Sequence, residues 1–502
     1  MAAIEEKDES KEESSGMSCC DRVKWFIQNV TVEPLMLCYI LPSVLAELAM
    51  QNLNLEKACR VDLQYDNSTC DAMYVRNATG YTKDEEATVQ KLVATMTAIR
   101  NIFQSILPCI VLVFIGSWSD RYKRRLPCIL IPIAGEIFAI IGFILLTYFF
   151  YELPIIFNIL VHGIIPGLSG GWAVMFMGAN AYICDISSIE TRTVRIGALT
   201  ILSNASIPIG IAVSGILLMN FGFYVTFSFA LGLLTIGFFY GMFVVKENSK
   251  EFDFNKKQRF ACLRDFFKFS YVKETMVVAF KAREKNFRSR IMVCLLLIML
   301  IVGPLHGEMT VMYLFLRYKF GWNETDYGIF LTVHFLIQIS GTAFSLYILS
   351  KRFKIHDAVI GALAAFCKVV ACIVMAFAPT AIYFYLGIAI EALHGASFVA
   401  MRAIISKLVP PNELGKVYSL MGASEALMPL IYGPLFGLIY RQTIDIFPSA
   451  FYFIGAILTA PCIFIFLWLY NQYKLDDAQK EKEVELAVEL LAITEADATV
   501  NT

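Results

Sequence analysis

A set of ionisable side chains falls inside long apolar stretches of this sequence. Placing such a group at the centre of a membrane helix costs roughly 2.5–3.5 kcal/mol, so its presence there indicates a functional role. These residues are Glu47, Arg100, Glu136, His162, His306, Glu308, His334, Lys368, Glu391, His394, Arg402 and Glu425. For each of them a structural role in packing or charge pairing is the alternative interpretation.

One apolar stretch combines an acid, an imidazole and a guanidinium. Glu391 and Arg402 are eleven residues apart, which places them within about 20° of each other on a regular helix. His394 lies about one turn from Glu391 on the same side. Because a guanidinium suits a carboxylate or phosphate, we predict an anion site formed by Arg402, Glu391 and His394, with Arg100 as a second contact. A structural network between Glu391 and Arg402 is the alternative.

Other buried groups have the chemistry needed to exchange protons. An imidazole titrates near pH 6.5, so His306 is a candidate for taking up and releasing protons. Glu308 is two residues further on and would point away from His306 on a regular helix, unless Gly303-Pro304 interrupts that helix. Glu136 and Glu425 each stand alone in apolar surroundings and are further candidates.

The composition requires a membrane environment for these residues. Of 502 residues, 57% are hydrophobic and 17% charged, against about 25% charged in soluble domains. Residues 196–245 contain no Lys, Arg, Asp or Glu, which is enough for two crossings of about 20 residues each. A soluble enzyme, a collagen, a coiled coil and a disordered chain are thereby excluded. The net charge of −1 argues against a nucleic-acid partner.

Hydropathy predicts an all-α membrane protein with twelve transmembrane helices in two six-helix pseudo-repeats. The predicted spans are 33–54, 88–116, 127–151, 153–183, 196–219, 222–245, 291–316, 327–350, 358–378, 380–406, 416–439 and 447–471. The chain then divides into a tail (1–31), a first half (32–245), a linker (246–290), a second half (291–471) and a C-terminal tail (472–502).

Charge predicts which side of the membrane each loop occupies. Lys and Arg residues follow the second, fourth, eighth and tenth spans, so these loops and both termini are predicted to be cytoplasmic. The linker, with thirteen Lys and Arg against six Asp and Glu (net +7), belongs on the same side. The opposite side carries glycosylation acceptors at Asn67, Asn77 and Asn323. Cys59 and Cys70 share one loop on that side and are either a disulfide or two free thiols.

An internal repeat links the two halves. The segment SDRYK at 119–123 matches SKRFK at 350–354, 231 residues later, and parallel six-span repeats are a transporter architecture. The stretch GSWSDRYKRR at 116–125 resembles the signature loop of the major facilitator superfamily, with Lys123 in place of its usual second glycine. The resemblance implies a cytoplasmic latch, formed by Gly116, Asp120, Arg121, Arg124 and Arg125.

Within that superfamily the chain is similar to solute carrier family 46. The resemblance rests on VEPL at 32–35, GSWSD at 116–120, CDISSIETRTVR at 184–195 and MRAIISKLV at 401–409. It implies transport of folates, haem, muropeptides or other organic anions, with Asp185 and Arg402 handling substrate or protons. The chain departs from the folate carriers of this family, because Thr200 stands where they have a coupling glutamate and residues 246–290 contain no histidine.

These observations together predict a secondary active transporter, with proton-coupled symport of an organic anion by alternating access. A receptor or transceptor that binds a solute without net transport is the alternative. An enzyme is not expected, because the sequence lacks HExxH, GxSxG and P-loop motifs. We expect a monomer in the lipid bilayer without cofactor or metal, in the plasma membrane in preference to the endolysosomal membrane.

Overall fold

The chain folds into helices, as predicted, and the described part contains no strand. The computed structural model describes residues 31–74, 80–247, 270, 273, 287–322, 324–410, 413–444 and 446–500. Its helices are α1 (Glu33–Lys57), α2 (Asn67–Tyr74), α3 (Lys83–Tyr122), α4 (Leu126–Tyr148), α5 (Ile155–Ser169), α6 (Gly171–Ile186), α7 (Ile189–Phe243), α8 (Phe287–Phe320), α9 (Glu324–Phe344), α10 (Asp357–Phe377), α11 (Ala381–Ile390), α12 (Gly395–Leu408), α13 (Leu414–Thr443) and α14 (Ala450–Val500).

Eleven helical stretches of the described residues are long and apolar enough to cross a membrane, where hydropathy predicts twelve. The difference lies in α7, whose candidate span of 53 residues contains two of the predicted spans. Gly222 interrupts that helix with φ 76° and ψ −175°, a conformation that glycine adopts without a Cβ clash. The predicted spans on either side of Gly222 therefore share one helical element with a break inside it.

Two other predicted spans are also broken, at places that hydropathy does not reveal. The fourth is divided into α5 and α6 at Gly170, which has φ 88°. The tenth is divided into α11 and α12 by a 3₁₀ turn, Glu391–His394. By contrast, α8 runs unbroken through Gly303-Pro304, so the break expected there is absent. A Cβ at Gly303 would lie 2.3 Å from the Tyr432 ring, so this glycine serves close packing of α8 on α13.

The repeat detected in the sequence has a backbone counterpart. Lys123 after α3 and Lys354 after the π-helical segment Ser345–Arg352 both adopt left-handed backbone angles, with φ 50° and φ 52°. This conformation costs a non-glycine residue roughly 1–2 kcal/mol. The lysine that replaces the usual glycine of the signature loop thus retains the turn.

The loop after α1 is closed by a disulfide between Cys59 and Cys70, whose Cα atoms are 5.9 Å apart. Asn67 begins α2 between these two cysteines and is exposed. Its Oδ1 accepts a hydrogen bond of 3.0 Å from Arg60 Nη1. The side-chain nitrogen, to which a glycan is attached, takes no part in this hydrogen bond. Asn77 and Asn323 lie outside the described residues.

We expect Asn67 to carry a glycan. Thr69→Ala removes the acceptor sequence while keeping Asn67, so it should increase the electrophoretic mobility of the protein as glycosidase treatment does. Asn204→Gln is the matched control, because the acceptor sequence Asn204-Ala205-Ser206 lies within α7 and should be unused. Unchanged mobility of the Thr69→Ala variant in glycosylating cells would contradict the predicted sidedness of the loop.

Candidate functional site

The signature loop forms a latch between the two halves. Asp120 at the end of α3 accepts hydrogen bonds of 2.8 Å from the backbone N–H groups of Gly415 and Lys416 at the start of α13. A Cβ at Gly116 would lie 2.0 Å from Ser419 Oγ, so only glycine permits α3 and α13 to approach this closely. Gly116 and Asp120 therefore lie at a contact that joins the first half to the second.

Arg125 is the cation that holds the latch carboxylates. Its Nη1 lies 2.6 Å from Asp120 Oδ1 and its Nε lies 2.8 Å from Asp185 Oδ2. Burial alone would lower the pKa of Arg125, but these two carboxylates outweigh it and raise the pKa, so the guanidinium stays charged. The structure thus places Asp185, predicted to handle protons, within the latch. Arg121 is exposed and Arg124 is half-buried beside it.

A second set of contacts joins the halves at the same end of the helices. Arg192 of α7 donates a hydrogen bond of 2.6 Å to the carbonyl of Ser406 in α12. Asp357 at the start of α10 accepts from Thr193 Oγ1 at 3.1 Å and from Lys407 Nζ at 2.6 Å. Arg192 and Thr193 lie in the segment that carries the family resemblance, but no role was predicted for them. Together with the latch they close this end of the molecule.

Arg402 lies directly above this closed end. Its Nη2 donates to Glu425 Oε1 of α13 at 2.8 Å. Its guanidinium carbon lies 5.4 Å from the centroid of the Phe176 ring, which belongs to α6 in the other half. The predicted stripe with Glu391 is not formed, because the 3₁₀ turn has about three residues per turn and changes the rotation of the helix between the two residues.

Aromatic rings and His306 extend this region away from the latch. Trp172 lies one turn before Phe176 on α6, with the ring centroids 6.5 Å apart, and is 38% exposed. Residues one turn apart share a helical face, so Trp172 faces the same way as Phe176, toward the second half. His306 is exposed and interacts electrostatically with Glu425. Trp172 and His306 are thus exposed side chains, one from each half, on the two sides of the Arg402–Glu425 pair.

A second charged cluster is sealed inside the second half. Lys368 Nζ of α10 donates to Glu308 Oε2 of α8 at 2.7 Å and to Glu391 Oε1 at 2.9 Å. The three side chains are 2%, 1% and 2% exposed. His394 is buried beside these three side chains and lies in the same 3₁₀ turn as Glu391. The structure therefore unites Glu308, predicted to exchange protons, with Glu391 and His394, predicted to bind substrate, around a lysine whose partners were not predicted.

The first half contains its own network around Arg100. Arg100 Nη1 lies 2.6 Å from Glu47 Oε1, and His162 Nε2 lies 2.8 Å from Glu47 Oε2. Glu136 is buried close to Glu47 and Tyr39. Sequence reasoning identified each of these as an ionisable residue in a span but did not pair them. The described residues contain no group of three or more His, Cys, Asp and Glu side chains that could hold a metal ion.

Comparison with known proteins agrees with this architecture. A family model described as Major Facilitator Superfamily matches residues 72–390 and 308–496. The chain is 24% identical to a Drosophila melanogaster protein named "Probable peptidoglycan muropeptide transporter SLC46", over 85% of this chain and 83% of that one. It is also 24% identical to the Gallus gallus "Lysosomal proton-coupled steroid conjugate and bile acid symporter SLC46A3", over 87% and 93%. The rat proton-coupled folate transporter is 24% identical over 75% and 80% of the two chains.

Solved structures share the fold at low sequence identity. The human organic anion transporter MFSD10 matches with a TM-score of 0.61 and 16% identity, covering 87% of this chain and 98% of that one. An outward-facing bacterial homologue of the iron transporter ferroportin matches with a TM-score of 0.59 and 14% identity, covering 86% and 99%. These two likenesses concern the fold alone.

Proposed function

Since this chain belongs to the major facilitator superfamily and is a multi-pass membrane transporter, not an enzyme, we propose that it carries an organic anion together with protons by alternating access. The halves that move are 32–245 and 291–471, joined by the basic linker 246–290. Both termini and the latch face the cytosol in this proposal, and the loop with Asn67 faces the outside or a lumen. The closed latch then corresponds to an outward-facing state.

The observation that supports this function most directly is the Arg402–Glu425 pair, 2.8 Å apart, with Phe176 of the other half against the guanidinium. A substrate carboxylate, sulfate or phosphate competes with Glu425 for the guanidinium. Protonation of Glu425 removes the competing charge, so a proton and an anion bind more favourably together than either binds alone. This linkage is reciprocal and is the physical basis of symport.

The wall beside Arg402 suggests the kind of anion. Trp172, 38% exposed, and half-buried Phe176 have ring centroids 6.5 Å apart, and the ring of fully buried Tyr39 packs against Trp172. Such a surface favours a large apolar or ring-containing body, which leaves the anionic group to Arg402. Steroid conjugates and bile acids, named for one relative, combine these properties, as do folates. Thr200 and the absence of histidine from the linker favour the former.

Uptake by purified protein in liposomes tests the proposal. Labelled steroid sulfate, bile acid, folate and muramyl dipeptide are offered with and without an inward proton gradient, and a protonophore is the control. We expect accumulation of at least one anion that requires the gradient. Saturable binding of an anion without uptake would instead favour the receptor alternative. Surface labelling and isolation of lysosomes in cells test our preference for the plasma membrane over the endolysosomal membrane.

A further inference from the structure

The sealed cluster around Lys368 contains an unequal number of charges. Two carboxyl groups, Glu308 and Glu391, contact a single ammonium, and no member is more than 2% exposed. If both carboxyls were ionised, a net negative charge would remain in a site without solvent, which is strongly unfavourable. The groups that face the cluster are Glu308 from α8, His334 and Gln338 from α9, Lys368 and Cys372 from α10, Glu391 and His394 from the 3₁₀ turn, and Tyr452 from α14.

Neither histidine can supply the missing positive charge. Within the described part of the chain, both ring nitrogens of buried His394 lack a hydrogen-bond partner, whereas an imidazolium would have two N–H groups to satisfy. His334 Nε2 lies 3.2 Å from Gln338 Nε2, and that amide group also donates to Glu391 Oε1 at 3.4 Å. Because the amide nitrogen is a donor, this contact favours a His334 ring that is unprotonated at Nε2 and therefore neutral.

The cluster is built into the break of the tenth span. Glu391 opens the 3₁₀ turn, and the helix resumes at Gly395. A Cβ at Gly395 would lie 2.2 Å from Thr342 Oγ1, so the turn is packed tightly against α9. A 3₁₀ segment within a longer helix often marks a hinge. Arg402 lies two turns beyond it on α12, so a change at this turn alters the position of the anion-binding guanidinium.

We propose that Glu308, Glu391 and Lys368 form a proton-binding site, separate from the Arg402–Glu425 pair, in which the two carboxyls share one proton. The proton comes from water and returns to it, and its departure leaves one carboxylate in excess of the ammonium. That charge imbalance changes the conformation of the 3₁₀ turn. Because Arg402 follows this turn on α12, protonation of the site is thereby coupled to the position of the Arg402 guanidinium. The role in transport rests on the function proposed above, whereas the bound proton does not.

Infrared spectroscopy of the purified full-length protein tests the site without transport. A protonated carboxyl has a carbonyl stretch distinct from that of a carboxylate and sensitive to deuterium exchange. Glu391→Gln and Glu308→Gln each leave one carboxylate for one ammonium, so each variant should lose the whole band of the shared proton. The double variant should lose no more than either single variant. Glu425→Gln is the matched control and should keep the band, since Glu425 is paired with Arg402.

The outcomes separate this site from the proposed function. If either Gln variant elutes as a folded monomer and its band is unchanged, the proposal of a shared proton is wrong. A band that disappears in both variants supports it, even if no anion is transported. Should one variant fail to fold, the other tests the same proton from a different helix. In the transport assay, the Glu391→Gln variant should still exchange anion across the membrane. The accumulation driven by a proton gradient should fall at least tenfold.

Discussion

Arg402→Ala is expected to abolish anion uptake by protein that still reaches the membrane. The Arg402 side chain is 11% exposed, and removing one member of a hydrogen-bonded charge pair at such a site costs about 2 kcal/mol or more, which corresponds to roughly a 30-fold or greater loss of anion affinity. Glu425 would also lose its 2.8 Å partner and remain as an obstacle to the anion. Initial uptake rates in proteoliposomes, normalised to the amount of inserted protein, measure the effect.

Glu425→Gln is the informative companion variant. It leaves Arg402 in place and removes the competing charge, so uptake should persist while its dependence on the proton gradient becomes weaker. Arg402→Lys should recover only part of the uptake, because an ammonium cannot form a bidentate contact with the anion. Normal uptake by a well-inserted Arg402→Ala variant would refute the proposed site.

Asp120→Asn should open the latch. Asp120 accepts from Gly415 N–H, Lys416 N–H and Arg125, and the neutral amide has only one oxygen for these three donors. Hydrogen bonds to a charged group contribute about 1.5–3 kcal/mol each, so losing one shifts the population of latch-open protein by about tenfold or more. Cys184 is 3% exposed beside Tyr418 at this junction and reports the change.

A variant that keeps Cys184 and the Cys59–Cys70 disulfide, with the other cysteines replaced, makes labelling specific. A membrane-impermeant maleimide added from the latch side should react about tenfold faster in Asp120→Asn. Lys351→Gln is the matched control, because Lys351 occupies the position equivalent to Asp120 in the second half of the repeat and is exposed. Equal labelling rates in the Asp120→Asn variant and the parent would show that Asp120 does not hold the halves together.

The sequence was sufficient to predict an all-helical membrane protein and to identify the loop that contacts α13, since both depend on local patterns. Apolar length predicts a span wherever a helix must cross a bilayer, and the latch resides in one short loop whose partner lies at the start of α13. The spans predicted on either side of Gly222 form one helical element, because the non-helical conformation is confined to that glycine. Gly303-Pro304 suggested a break, but packing on α13 keeps α8 continuous.

The periodicity of the sequence could not predict which buried charges pair with one another. Placing Glu391 and Arg402 on one face assumes a regular helix throughout, whereas the 3₁₀ turn at Glu391–His394 alters the rotation. Lys368 contacts Glu308, 60 residues away, and Glu391, 23 residues away. Such pairs are set by which helices become neighbours, which one sequence does not specify. The ionisable residues themselves could be identified from the sequence, because their cost in an apolar stretch is a local property.

The closed latch also bears on the direction of net flux. In the proposed topology, Asp120 and Arg192 hold the cytosolic ends together, so Arg402 and Glu425 would be reached from the side of the Asn67 loop, and solute and proton would enter from the same aqueous phase. A carrier that fills from its acidic side and empties into a neutral one operates as an importer. Buffering that phase to neutrality should therefore stop accumulation while leaving exchange across the membrane intact.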